Sequence, residues 1–371
     1  MNEAASELIS IAIVVATCLL LVFRVYRQSR KASAAAILKG RVTALYCFPV
    51  KSCAGIKLES ANVGEYGIEH DREWALVRRP ALNGERAQML TCRDHPKMLL
   101  LKPSFAASGE LVLSTPDGAS ITVSPPAKPH VVETLNWRTA CHALDQGPEV
   151  ARFLSEYLGE EVLLLRCPDA LARRLSACSK YEHVPTIAAD ATGAGAFGDQ
   201  CKFSDWAPWN IVSAESLRWL NERTKSTKYT AERFRPNIVV QGAGHMPGRP
   251  LAGRPFEEDS WARFRIGSVE FEFLKHTGRC LVPTLDPQTA ERDAKAEPLL
   301  TLKRLRGGVY DFLPPSHESH DVKEAFFAVG CRHVFVPGQK LRIGDKVVVR
   351  EFRSPQLVKP LRTDQPERWL S

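Results

Sequence analysis

The chain has 371 residues, of which 44% are hydrophobic and 25% charged, with 23 Gly and 25 Pro. These are globular proportions, so whole-chain disorder, collagen and low-complexity architectures are excluded, and the length predicts about two domains. Fifty Lys and Arg against 42 Asp and Glu leave a net charge of +8, which suits an anionic ligand, an acidic partner or an anionic membrane without choosing among them. The 10 cysteines include no C-x-x-C pair, so zinc ribbons and thioredoxin-like motifs are not expected, and free thiols in a reducing compartment are.

Residues 8–23 (LISIAIVVATCLLLVF) carry no charge. They lie between a signal peptide and a membrane span in length, and their flanks favour an anchor. Glu3 and Glu7 precede the stretch where a signal peptide carries Lys or Arg; Arg24, Arg27, Arg30 and Lys31 follow it, with Tyr26 placed for the headgroup level. The positive flank places the bulk of the chain in the cytosol, and the short span suits a thin membrane such as the mitochondrial outer membrane or the endoplasmic reticulum. Residues 1–31 are thus expected to be an anchor and 32–39 a linker.

Strand texture begins at Gly40. Residues 41–49 alternate, 56–63 resemble a second strand and 73–78 a third. Short apolar runs follow at 98–101, 110–113 and 121–123. Residues 149–158 carry Val150, Phe153, Leu154 and Tyr157 on one helical stripe that stops at Gly159. Residues 161–166 read as a buried strand closing the unit 40–180. Residues 185–205 read as a long loop. Ser213 caps a predicted helix over 214–224, with Leu217 and Leu220 on one face. Strands are predicted at 237–241, 261–266, 269–273 and 346–352 in a second unit, 181–352, and a Gly/Pro-rich excursion covers 242–255. Residues 353–371 are left as a tail. The pattern is α+β with much antiparallel sheet.

Three clusters carry candidate chemistry. Lys51 and Ser52, followed by Arg72, are donors suited to a phosphate or another anion; the same residues also fit a strand-end turn with a solvated Lys and an Arg–Asp surface pair. No Walker spacing is present. Arg233-Phe234-Arg235-Pro236-Asn237 stands at the mouth of a strand and offers anion and amide recognition. Nucleic-acid binding is not expected, because no basic and aromatic stripe recurs. Arg279-Cys280 places a thiol beside a guanidinium, where it is either a thiolate fit to be a nucleophile or soft-metal ligand, or an inert buried Cys. His276 is either a base for that thiol or an ordinary loop histidine.

The segments FPVKSCAG (48–55), DREWALV (71–77), FSDWAPWNIVSAES (203–216), RFRPNIVV (233–240), PFEEDSW (255–261), GRC with LDPQT (278–289) and IGDKVVV (343–349) occur in one order. Together they resemble the MOSC-domain proteins, named for the C-terminus of molybdenum cofactor sulfurase, and more narrowly their mitochondrial amidoxime-reducing branch. The resemblance implies a β-rich MOSC N-terminal domain, then a MOSC β-barrel domain, behind an N-terminal transmembrane anchor helix. It implies a molybdenum–molybdopterin cofactor, with Cys280 as metal ligand and catalytic thiol. Lys51, Ser52, Arg72, Arg235 and Asn237 match cofactor-binding positions, as do Ser213 and Arg279. The implied activity is two-electron reduction of small N-oxygenated substrates (amidoximes, N-hydroxyguanidines, hydroxamic acids), with NADH electrons arriving through cytochrome b5 reductase and cytochrome b5. No G-x-G-x-x-G follows a strand here, so the electrons are expected from outside the chain. The rival expectation is a membrane-anchored carrier of the cofactor, or a sulfur-transfer protein; nothing resembles a pyridoxal-phosphate desulfurase. Two departures stand out: Thr277 where the family commonly has a second Cys, and Ala290 where it has a turn Gly.

Overall fold

The computed structural model describes residues 36–80, 86–136, 139–174, 200–205, 207–224, 228–242, 253–308 and 324–353. In chain order the main elements of the first half are β1 (Ile37–Cys47), β2 (Trp74–Arg78), β3 (Val131–Asn136), β4 (Thr139–Asp145), α1 (Pro148–Leu158) and β5 (Val162–Arg166). They are followed by β6 (Trp209–Ser213), α2 (Ala214–Arg223), β7 (Ile238–Gly242), β8 (Trp261–Ile266), β9 (Val269–Arg279), α3 (Leu299–Arg306), β10 (Glu324–His333) and β11 (Lys346–Phe352).

Seven of these strands close on themselves in the order β6-β7-β1-β11-β8-β9-β10, with β10 pairing back to β6. Closure removes the open edges that a sheet of this size would otherwise expose. β6 and β7 are parallel and are joined by α2, whereas β7–β1, β11–β8, β8–β9, β9–β10 and β10–β6 are antiparallel. The interior is filled by residues two apart on each strand: Ile211, Ile238 and Val240, Phe264 and Ile266, Val269 and Phe271, Val347 and Val349. In β1 the inward residues are Val42 and Leu45, because a register shift between Val42 and Ala44 inserts one extra residue. Phe264 and Phe271 stack with centroids 5.4 Å apart, and burying each contributes roughly 1.5–3 kcal/mol.

The second sheet runs β3-β4-β5-β2. On one face Trp74, Leu76, Val162 and Leu164 pack against Val150 and Leu154 of α1. On the other, Ala75, Val77, Ala143, Leu163 and Leu165 cover Phe203. α1 forms as its apolar stripe predicts. Pro148 opens it, and Gly159 ends it in the left-handed region at φ 80°, its N–H donating to Ser155 O at 2.8 Å.

Several expectations need correction. The first strand begins at Ile37, inside the expected linker, and although it opens the first half in sequence it is a stave of the barrel built by the second half. The stretch 56–63 is two strands, Ile56–Leu58 and Ser60–Gly64, because the first pairs with β1 and the second with Lys340–Arg342. The apolar run 98–101 is largely a 3-10 turn, Pro96–Leu100, started by proline and burying Met98 and Leu99. The strand expected at 269–273 runs six residues further, to Arg279. Strands β3, β4, β6 and β10 and helix α3 had no sequence reading. The apolar stretch 8–23, most of the 185–205 loop, residues 243–252 of the Gly/Pro-rich excursion and the tail from 354 lie outside the described residues. Among the described residues no helix is long and apolar enough to cross a membrane.

Candidate functional site

A cavity of about 660 Å³ lies between the barrel and the second sheet. Seven of the eight sequence-predicted site residues line it: Lys51, Ser52, Arg72, Arg235, Asn237, Arg279 and Cys280. Ser213 does not. Its hydroxyl caps α2, accepting from Ser216 N at 3.1 Å and lying 2.7 Å from Ser216 Oγ, while its own N–H donates to Glu258. Its side chain is engaged as a helix cap away from the cavity lining, a role it fills because an α2 amide would otherwise be orphaned.

The backbone of the site is held in an unusual conformation. Ser52 (φ 68°), Arg72 (φ 48°) and Arg235 (φ 49°) are all left-handed, a region that costs a non-glycine residue energy and persists only where surrounding structure enforces it. Each is pinned. The turn after β1 is tied to β2 by Lys51 N donating to Trp74 O at 2.8 Å. Arg72 N donates to Phe48 O at 2.8 Å, and Arg235, the cap of the 3-10 turn Ala231–Phe234, donates its N–H to Glu232 O at 2.9 Å.

Phe48 is the platform for two of the cations. The Arg72 and Arg235 guanidinium groups lie 4.6 and 4.3 Å from its ring centroid. Gly55 is required against the same ring, since a Cβ there would sit 2.5 Å from it. Arg72 pairs with Asp71 and donates Nη2 to Arg235 O at 2.9 Å. Arg235 donates Nη1 to Cys53 O at 2.6 Å, but its buried Nη2 has no hydrogen-bond partner. Burial, and then the Arg72 charge, pull the Arg235 guanidinium down to about 10.

Arg279 ends β9 and braces the opposite wall. Its Nε donates to Phe327 O at 2.7 Å, Nη1 to Phe234 O at 3.0 Å and Nη2 to Asn210 Oδ1 at 3.3 Å. Burial pulls it down to about 9; the neighbouring Cys280 opposes that shift and Arg72 adds to it. Neither Arg235 nor Arg279 has a carboxylate at ion-pair distance among the described residues. Asn237, fully buried, accepts from Asn210 N at 3.1 Å and donates to Tyr46 O at 3.3 Å, so its amide joins β1, β6 and β7 behind the cavity wall. Lys51 Nζ donates to Phe203 O at 3.0 Å and pairs with Asp205. Cys280 is half-buried, its thiol free, directly after Arg279.

Sequence reasoning missed Asn210, whose side chain links Arg279 to the carbonyls of Phe234 and Arg235, and Cys92, a second thiol in the lining. Ser52 hydrogen-bonds the Cys92 thiol, whose pKa burial raises. Neither carries a local signal: Asn210 stands inside a strand and Cys92 inside an unremarkable turn. Of the alternatives for His276, the structure favours neither base nor loop: it is a β9 residue absent from the cavity lining, with Nε2 3.7 Å from buried Asp259.

The arrangement offers two guanidinium groups, Arg235 and Arg279, with no carboxylate at ion-pair distance among the described residues, a strained backbone that holds the site's cations together, and a thiol at their edge. Such a set is suited to an anion and to one soft-ligand contact.

Comparison with known proteins agrees in outline. Residues 39–161 match the MOSC N-terminal beta barrel domain and residues 198–348 the MOSC domain. The chain is 29% identical over 315 residues to mitochondrial amidoxime reducing component 2 of Homo sapiens, covering 83% of each, and 28% identical over 278 residues to mitochondrial amidoxime-reducing component 1 of Mus musculus, covering 72% of each. It is 28% identical over 296 residues to molybdenum cofactor sulfurase of Danio rerio, covering 73% of this chain but 31% of that protein. With both domains matched in order and relatives of this kind over most of its length, the chain belongs to the MOSC-domain family and resembles its mitochondrial amidoxime-reducing components.

Proposed function

We propose that the protein is a molybdenum-cofactor-dependent reductase of N-oxygenated compounds: amidoximes, N-hydroxyguanidines and hydroxamic acids. The observation that carries this reading is the pair of guanidinium groups of Arg235 and Arg279, half-buried residues facing one cavity with no carboxylate at ion-pair distance among the described residues and with the buried Arg235 Nη2 unsatisfied. A buried charge left in that state is costly, and a bound anion is what completes it. The donor set fits a phosphorylated pterin bearing a thiophilic metal. Lys51, Ser52, Arg72 and Arg235 would hold the anionic part, and Cys280 would be the protein's ligand to molybdenum. When bound, the cofactor supplies the two-electron chemistry that cleaves an N–O bond.

The chain's own residues bind and orient. The Phe48 platform and the left-handed turns fix the cations before any ligand arrives, so little ordering entropy remains to be lost on binding. Asn237 and Asn210 keep the barrel wall in register behind them. The apolar lining at Met89, Leu135 and Val282 offers a surface for the body of a small substrate.

Electrons come from outside, from NADH through cytochrome b5 reductase and cytochrome b5. The uncharged stretch 8–23 with its basic C-terminal flank supports a membrane anchor, and relatives named as mitochondrial components support a mitochondrial membrane, the outer one in this reading. Tethering donor and acceptor to one surface raises their effective concentration.

The test is molybdenum and pterin per chain for the full-length protein made in a cofactor-competent host, beside Cys280→Ala. Near-stoichiometric molybdenum lost in the variant, with benzamidoxime reduction by the parent under a chemical reductant, is the expected result. Cofactor without turnover moves the reading to a cofactor carrier; no pterin and no metal removes it.

A further inference from the structure

Behind the cavity sits a charge cluster that does not touch it. Glu73 follows Arg72 in the chain and is 2% exposed. Its carboxylate meets Arg166 Nε at 2.6 Å, Lys202 Nζ at 2.8 Å and His70 Nδ1 at 3.1 Å. Burial pushes the carboxyl up, yet the hydrogen bonds and charges of His70, Lys202 and Arg166 together overcome it and hold Glu73 at about 2. None of these four residues lines the cavity.

Lys202 connects the cluster to the site. The residue after it, Phe203, is fully buried and donates its N–H to Arg72 O at 2.9 Å. The Phe203 carbonyl accepts from Lys51 Nζ at 3.0 Å and from Asn136 Nδ2 at 3.2 Å. Two residues further on, Asp205 pairs with Lys51. The segment 200–205 is therefore held by Glu73 at Lys202, and it in turn holds Lys51 and the backbone of Arg72.

We infer that Glu73 is a positioning residue for the anion site: through Lys202 it fixes the segment 200–205, and through the Phe203 backbone it sets the direction of Lys51 and Arg72. The inference rests on the reading of the cavity as the cofactor site. Neutralising Glu73 leaves Lys202 nearly buried with only the exposed carboxylate of Asp169, 2.8 Å away, so the Phe203 carbonyl loses its fixed place.

Three full-length variants test this: Glu73→Gln, Lys202→Met and, as a control, Glu272→Gln. Glu272 is also a buried carboxylate, 6% exposed, held by Arg332 at 2.6 Å in the barrel wall and absent from the cavity lining. Amide hydrogen exchange over 200–205 is expected to quicken at least about tenfold in Glu73→Gln and to stay at the parent's rate in Glu272→Gln. Molybdenum and pterin per chain are expected to fall at least about fivefold in Glu73→Gln while the control keeps the parent's content. Should Glu73→Gln not fold, Lys202→Met carries both readouts, because it leaves Glu73 two donors. Parent-like exchange over 200–205 overturns the inference, as does an equal cofactor loss in the control. A parent that holds no cofactor overturns the proposed function instead, and the exchange measurement still decides the role of Glu73.

Discussion

Two groups of charges, one around Glu73 and one around Arg235 and Arg279, both contain guanidinium groups and end in opposite states. Glu73 has three donors for one carboxylate and is held at about 2. Arg235 and Arg279 have backbone carbonyls and an amide but, among the described residues, no carboxylate at ion-pair distance, and burial pulls both down. A cluster whose charges are already matched is architecture, whereas one that lacks its counter-charge is a binding site. That difference is what the proposed function rests on at Arg235 and Arg279.

The comparison can be broken first inside the incomplete group. Arg279→Ala removes donors from Phe327 O, Phe234 O and Asn210, and is expected to cost about 3–5 kcal/mol in urea unfolding. Arg235→Ala removes one donor, to Cys53 O, and is expected to cost about 1–2 kcal/mol while abolishing cofactor retention. If Arg235→Ala proves the more destabilising of the two, the division between brace and ligand fails.

Acid sharpens the contrast next. Glu73 titrates near 2 in the folded chain against 4.5 when free, so its stabilisation is complete above pH 4.5 and is lost as pH falls through about 2. A shift of that size is worth about 3 kcal/mol, and Glu73→Gln should flatten that part of a stability profile taken from pH 5 downward. Glu258 gives the opposite sign. Burial, then the adjacent Asp259, push it up to about 7, so its favourable contribution is complete below pH 4.5 and is lost as pH rises through 7. Glu258→Gln is therefore expected to gain stability at pH 8 relative to pH 5, by roughly 1–2 kcal/mol. An unchanged slope would show that Glu258 ionises over the same pH range folded and unfolded, so that burial does not raise it. The smallest effect is Ser213→Ala, about 1 kcal/mol from the lost cap with cofactor content unchanged. Loss of cofactor in that variant would return Ser213 to the site.

Much of this was legible in the sequence because the signals are local. The stripe of α1 and its glycine stop, the Ser213 cap and the strand at 261–266 each depend on residues within a few positions of one another. The strand β10 was not legible. Ala325 and Phe327 pack against the helices while Val329 and Cys331 face the barrel, so alternation is erased by burial on both faces. The motif residues were visible one by one, but the left-handed turns that aim Ser52, Arg72 and Arg235 come from contacts with distant strands. Ser213 shows the converse: a residue in a matching motif whose side chain is occupied by a local task, the cap of α2.

The placement of β1 in the barrel also governs how the chain is made. Thr43 meets Val239, 196 residues later, and Arg41 meets Gly344, 303 residues later. At ~5–20 residues per second, a ribosome takes roughly 15–60 s to deliver the second of these partners. Throughout that interval β1 lacks its barrel neighbours β7 and β11 and has only the short strand Ile56–Leu58 along part of one edge, which predicts that nascent chains halted before residue 238 expose it to protease and to holding chaperones. Chains extended past residue 352 should protect it. Protection of β1 in the short nascent chains would mean that another segment covers it while it waits.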